Sequence, residues 1–313
     1  MKLIRRSDTP ALQVAKFALV ASPHNFSTNL YAQAWNREVF GERADQGAAA
    51  LASAATVHVY QGLAPNMSAA QVSDAFVSVF GRVAMQRKWA QATIPKRLDL
   101  WITEYGGEVK TPDHVSGSWM AALYQVLFAF LLPMDERVTV IHSHALNWRR
   151  IDDAAIMRAG GGSSVDGSWE ATLKGQAMTV LYSAVTRASA WGSTVTLRMV
   201  PMSFSPNPNL STGHPNADVI STELLGWAFM GSAGDVVEVV ILNLSPDMRP
   251  AMNLAGVFTE SPTPRLEYVS YSVAHGELLK VGATLQQRED TLDSSNSTAM
   301  VPAYSMVSIS LSA

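Results

Sequence analysis

Leu98-Asp-Leu-Trp-Ile-Thr-Glu-Tyr-Gly-Gly107 is the stretch on which the fold turns. From Leu98 to Thr103 it is apolar or β-branched with one charged interruption, the pattern of a buried strand, and Gly106-Gly107 end it abruptly. Glu104 is thereby set at the strand's carboxyl end. A carboxylate is costly to bury without partners, so one placed between Thr103 and Tyr105, just ahead of a double glycine, points to a site. Strand ends also carry solvent-facing charge, so the surrounding chain has to decide between the two.

Outward from this strand, residues 1–190 alternate strand and helix. Strands are expected over residues 16–21 (KFALVA), 55–60 (ATVHVY) and 137–142 (RVTVIH). Helices are expected over the alanine-rich residues 43–55, from Ser68 (with Gln71 forming a capping box) to about residue 91, over 116–132, and over 171–190. Four strand–helix units make a parallel sheet covered by helices. A doubly wound sheet is complete with so few strands, whereas a (β/α)8 barrel needs eight and about 250 residues. Each of the four strands delivers polar or aromatic groups at its carboxyl end: His24, Trp35 and Asn36 after the first, His58 and Tyr60 on the second, Glu104 and Tyr105 on the third, and His142, His144 and Trp148 on the fourth. A shared rim of this kind fits part of a barrel. No G-x-G-x-x-G or Walker pattern follows the first strand, and Gly160-Gly-Gly162 precedes no strand-to-helix turn of that type, so no nucleotide cofactor is expected.

Beyond Trp191 the texture changes to strands without intervening helices, over residues 194–200, 224–232, 236–243, 265–273 and 303–311, joined by turns rich in Pro, Gly, Asn and Ser. An antiparallel β-sandwich or jelly roll of residues 192–313 is expected after a partial barrel of residues 1–191. The composition suits this two-domain reading: of 313 residues 48% are hydrophobic and only 16% charged, enough apolar material for two cores. A net charge of −3 leaves no basic surplus to neutralise phosphates, which argues against nucleic acid or an anionic membrane as partner. No apolar run reaches spanning length. Cysteine is absent, which removes thiolate chemistry and Cys-ligated zinc and leaves the compartment, cytoplasmic or secreted, undecided. The basic start, Met1-Lys-Leu-Ile-Arg-Arg, lacks the apolar core of a signal peptide.

The succession His58-Val-Tyr60, then Leu100-Trp-Ile-Thr-Glu-Tyr-Gly106, then Trp119, then a strand ending in aromatics resembles the carboxyl-terminal half of a (β/α)8-barrel glycoside hydrolase of the large retaining clan. The appended β-domain, closing with Tyr304-Ser-Met-Val-Ser-Ile-Ser-Leu311, is similar to that of α-L-arabinofuranosidases and β-xylosidases. This resemblance implies a carbohydrate substrate of plant type and no cofactor. It implies that Glu104 is the nucleophile, that Tyr60 donates a hydrogen bond to it beside His58, and that Trp148 is an aromatic platform. Asn36, Trp35, Tyr105, His142 and His144 complete the expected sugar contacts. His142 and His144 share a strand face, a spacing that also suits metal ligands, but the sequence puts no third ligand beside them, so no metal is expected.

Retaining hydrolysis needs a second carboxyl group about 5–5.5 Å from the nucleophile. In this clan it follows an asparagine on the fourth strand, and the sequence contains no Asn-Glu pair. Glu38, Glu42, Glu108, Asp113, Asp152 and Asp153 suit helix starts, turns or loops instead. The expectation is therefore a segment that starts within the barrel, weak as an enzyme, and inclined to associate with itself or with a complementary amino-terminal half. A non-catalytic carbohydrate-binding or structural module is the competing reading.

Overall fold

The computed structural model describes residues 16–21, 30–41, 48–64, 66–108, 115–144, 157–159, 169–190, 198–202, 223–231, 234–247, 249–253, 257–258, 265–293 and 298–311. These form two compact units, one drawn from residues 1–62, 78–108 and 131–144, the other from 63–77, 109–130 and 145–313. Among the described residues, no helix is long and apolar enough to cross a membrane.

The first part of the chain runs β1 (Ala18–Val20), α1 (Leu30–Phe40), β2 (Ala54–Gly62), α2 (Val72–Thr93), β3 (Asp99–Glu108), α3 (Trp119–Leu131) and β4 (Val138–Ser143). The four strands form one sheet in the order β1-β2-β3-β4, and every pairing is parallel. Period two separates the faces. Val57, Val59, Leu98, Leu100 and Ile102 are buried, whereas Thr56, His58, Tyr60, Trp101 and Thr103 at the alternate positions are half-exposed. A one-sided burial of this kind is what a parallel sheet shows when helices cover one of its faces.

Two expectations meet different outcomes here. At Ser68 the backbone N–H donates to Gln71 Oε1 at 2.9 Å, and the short 3-10 turn Ala69–Gln71 leads into α2 as the capping-box reading requires. Of the alanine-rich helix expected over residues 43–55, the described residues 48–55 form none. A single 3-10 turn, Ala48–Leu51, stands among its described residues, and Ala54 and Ala55, both fully buried, already belong to β2, with Ala54 paired to Ala18 on one side and Asp99 on the other. Small side chains fit a strand flanked on both sides, and that pairing overrides alanine's helical propensity.

The second part continues with an antiparallel pair, β5 (Met157–Ala159) and β6 (Trp169–Ala171), then α4 (Leu173–Ala190). After them come β7 (Arg198–Met202), β8 (Leu224–Met230), β9 (Val236–Asn243), β10 (Arg249–Asn253), β11 (Arg265–Ser272), β12 (Gln286–Asp293), β13 (Thr298–Val301) and β14 (Ser305–Leu311). Six of these form an antiparallel sheet in the order β12-β11-β14-β9-β8-β7, and β10 pairs separately with β13. Val239, Ile241, Val307 and Ile309 alternate along the two central strands into a core shared with Val301 and Phe258. The positions between them face α4, whose Arg187 reaches fully buried Glu238 on β9. Every residue of α3 is buried, as expected of a helix apolar on all sides. Its first turn is held by Trp119 Nε1 donating to the Tyr304 carbonyl at 2.7 Å, and its last by Trp227 Nε1 donating to the Phe130 carbonyl at 3.0 Å.

Lys174, in the first turn of α4, is buried, and that burial pulls its ammonium from an ordinary 10.5 down to about 8. The unfolded chain keeps this proton up to about pH 10.5, so from pH 8 upward the unfolded state binds more protons than the folded one and stability rises with pH. Over the whole window the gain is about 3 kcal/mol. Buried Tyr268 and half-buried Tyr304 have values raised by desolvation and act in the opposite sense once the unfolded phenols ionise near pH 10, so the comparison belongs below that point. Lys174→Met should remove the rise and stabilise the chain at neutral pH. Urea midpoints for parent and variant at about pH 7 and 9.5 check both, and a parent midpoint flat between those values would contradict the assignment.

Candidate active site

The candidate site lies at the carboxyl ends of β2, β3 and β4. On β2, His58 and Tyr60 are two apart and share the half-exposed face. On β3, strict alternation from Leu100 and Ile102 would turn Glu104 toward the covered face and Tyr105 toward the open one. A one-residue shift in register reverses this: Val57 pairs with Ile102, but the next residue, His58, pairs with Glu104. Bulges of this kind re-aim side chains, and they are over-represented beside active sites. The shift sets Glu104, with its side chain 36% exposed, beside His58.

Around Glu104 the contacts converge on one oxygen. The Tyr60 hydroxyl donates a short hydrogen bond to Oε2, and His58 Nδ1 lies 3.4 Å from the same atom. Both of these contacts are to Oε2; among the described residues Oε1 has no hydrogen-bond partner. The Tyr60 ring stands edge-on between two imidazoles, with centroids 6.3 Å from His58 and 5.8 Å from His144. His144 is in turn fixed by its backbone N–H, which donates to the Tyr105 carbonyl at 3.1 Å and carries β4 along β3 past the last strand residue. Two side chains of β2 thus meet the carboxylate of β3, and His144, just past β4, packs on the ring of one of them. The arrangement leaves the carboxylate hydrogen-bonded on one side and partly open to solvent.

The other expected site residues divide. His142 is exposed on β4, and no contact with the carboxylate is recorded for it. Trp35 lies on α1, 52% exposed, with its indole N–H donating to the Val20 carbonyl at 2.9 Å, which brings the ring to the end of β1. Asn36, one residue on, is 3% exposed and belongs to the interior. The register shift turns the Tyr105 ring to the covered face, where it is fully buried. Glu38 is an exposed residue of α1. His24, Glu42, Asp113, Trp148, Asp152, Asp153 and the Gly160–Gly162 stretch lie outside the described residues, as does the side chain of Glu108 at the end of β3. Among the described residues no group of three His, Asp or Glu could hold a metal ion. The register shift itself had no signal in the sequence.

No family model matches the sequence, and no curated protein matches it. Solved structures do. The α-L-arabinofuranosidase of Thermotoga maritima, solved with arabinose, superposes with a TM-score of 0.59 at 13% identity, covering 98% of this chain and 59% of that one. A family 51 α-L-arabinofuranosidase of Bifidobacterium longum gives 0.60 at 12% identity, over 99% of this chain and 61% of the other. A β-porphyranase of Bacteroides plebeius gives 0.52 at 14% identity, over 100% and 50%. The chain spans about three fifths or less of the length of these enzymes. At such identities the likeness is one of fold alone.

Proposed function

We propose that the chain is the nucleophile-bearing part of a retaining glycoside hydrolase of α-L-arabinofuranosidase or β-xylosidase type, acting on plant-type oligosaccharide or polysaccharide. The observation that carries this reading is the pair of contacts from Tyr60 and His58 to a single oxygen of a half-exposed carboxylate at a strand's carboxyl end. In this reading the four parallel strands are the last four of a (β/α)8 barrel, and the acid/base carboxyl group comes from outside the 313 residues.

The chemistry follows from the two oxygens of Glu104. A lone pair of Oε1 attacks the anomeric carbon while the bond to the leaving oxygen breaks, giving a glycosyl ester on the carboxylate and a leaving oxygen that needs a proton. Oε2 becomes the ester carbonyl oxygen and loses charge. Tyr60 therefore binds the free carboxylate more strongly than the ester, and it favours the second step, in which water attacks the anomeric carbon and the carboxylate departs. His58, beside the same oxygen, holds the carboxylate's orientation.

An aryl α-L-arabinofuranoside and an aryl β-xyloside test this. Glu104→Gln, of nearly unchanged shape but without a nucleophilic oxygen, should reduce aryl release to the uncatalysed rate. Tyr60→Phe should slow turnover about ten- to a hundredfold, the worth of a hydrogen bond to a charged group, with the loss falling on the second step so that a covalent intermediate accumulates. Equal rates for parent and Glu104→Gln would remove Glu104 from the reaction; binding of xylo- or arabino-oligosaccharides without turnover of any glycoside would favour a carbohydrate-binding module.

A further inference from the structure

We infer that His144 is a positioning residue of the candidate site: packed perpendicular to the Tyr60 ring, it keeps the Tyr60 hydroxyl on Glu104 Oε2, and it acts on the reaction through Tyr60 and not through a contact of its own with the sugar. Its effect on rate rests on the glycosidase reading; its effect on Tyr60 stands on geometry alone.

The need for such a clamp comes from β3. Glu104 and Gly106 are two apart on that strand and share a face, and the register sets His58 level with Glu104 and Tyr60 level with Gly106. β3 therefore places a carboxylate beside His58 and no side chain beside the Tyr60 ring. Gly106 has a φ of 150°, a backbone that residues with a side chain rarely adopt, so the gap is built into the strand. Glycine inside a strand often marks the close approach of another group. Here that group is His144. β4 lies two strands from β2, about 10 Å by strand spacing, yet the rings of His144 and Tyr60 meet with centroids 5.8 Å apart and planes at 88°. The His144 backbone N–H, donating to the Tyr105 carbonyl at 3.1 Å, ties the root of that side chain to the residue before Gly106.

His58 cannot do this alone. It lies two residues back on the same strand, with its ring centroid 6.3 Å from that of Tyr60, so it packs on the side toward the strand's start. The χ1 torsion of a tyrosine has three staggered wells. A swing over the glycine would carry the hydroxyl away from Glu104 without meeting a side chain of β3, and His144 stands in the way of that swing. A perpendicular ring pair biases such an equilibrium by about three- to tenfold. Any flat ring rooted at the same position has the same effect, whereas a methyl group does not.

The aryl glycosides named above read the effect on the 313-residue chain. His144→Ala should lower kcat about three- to tenfold. KM should fall in step and kcat/KM stay near the parent's, because the second step is the one that Tyr60 favours. His144→Phe should restore most of the loss. In a Tyr60→Phe background, with no hydroxyl left to position, His144→Ala should cost nothing further. Independently of activity, three-bond couplings across the Tyr60 Cα–Cβ bond should report one χ1 rotamer in the parent and in His144→Phe, and an average over rotamers in His144→Ala. Equal activity of parent and Glu104→Gln would remove the glycosidase reading and leave the couplings to judge the clamp. A single Tyr60 rotamer in His144→Ala would overturn the inference. So would a rate loss that persists undiminished in the Tyr60→Phe background, the mark of a direct sugar contact.

Discussion

Replacing Arg187 with methionine should cost the second unit about 3–5 kcal/mol of stability, the expected penalty for leaving a buried charge without its partner. Glu238 sits on β9 with a side chain wholly inaccessible to solvent, and it is served from two directions. Arg187 of α4 grips it through both carboxylate oxygens, Nε to Oε2 at 2.8 Å and Nη2 to Oε1 at 2.5 Å, and the Ser308 hydroxyl of β14 donates to Oε1 at 2.5 Å. The carboxylate's hydrogen bonds hold the guanidinium above its ordinary value. Arg187 itself is about half exposed, so the loss comes mainly from what happens to Glu238. The double variant Arg187→Met, Glu238→Met separates the two contributions: with no charge left to strand, it should recover most or all of the deficit. Urea unfolding of the parent, both single variants and the double variant completes the cycle. A single Arg187→Met loss below about 1 kcal/mol, the range of exposed ion pairs, would show that the pair behaves as a surface contact.

Glu238 also shows where sequence patterns were adequate. The run Val236–Asn243 reads as a strand because six of its eight positions are apolar, and one charge inside such a run marks a place where another element must bring a counter-charge. Nothing local names that element, since Arg187 is 51 positions away. The opposite failure occurs at β12. Gln286–Asp293 is QQREDTLD, almost wholly polar, and it is a strand because it pairs along its whole length with β11 at the sheet's edge. Charged edge strands are ordinary, and hydrophobic periodicity cannot find them. The alanine-rich segment failed for a third reason, a local preference overruled by two neighbouring strands.

The site was legible to the extent that period two governs it. His58 and Tyr60 share a face because they are two apart, and both meet the carboxylate that Gly106-Gly107 had marked. One inserted residue then decides which of Glu104 and Tyr105 faces the open side, and that insertion belongs to the pairing of β2 with β3 and not to either strand alone. Without it, the tyrosine would occupy the site and the glutamate the interior. Residues 30–40 are helical, and a helix turns consecutive residues in different directions, Trp35 outward and Asn36 inward.

The largest expected effect on rate concerns the leaving group. In the proposed reading Glu104 attacks unaided by a proton donor of this chain, and positioned general acids contribute about 10²–10⁴-fold. Aryl glycosides with acidic phenols need little protonation as they depart, so the 313-residue chain should turn them over slowly through Glu104, with a rate that falls steeply as the phenol's pKa rises. Unactivated oligosaccharides of the same sugar should react about 10²–10⁴-fold more slowly still. The second step carries the same signature, because no base is present to activate water. Azide, a nucleophile that needs no deprotonation, should accelerate turnover of the activated substrates and yield the glycosyl azide, and Glu104→Gln should abolish the acceleration along with the reaction. A flat dependence on leaving group, together with rapid hydrolysis of natural oligosaccharides, would place an acid within this chain. Glu38, Glu42 and Glu108 would then be the first residues to replace, and restoration of azide sensitivity in one of those variants would identify it.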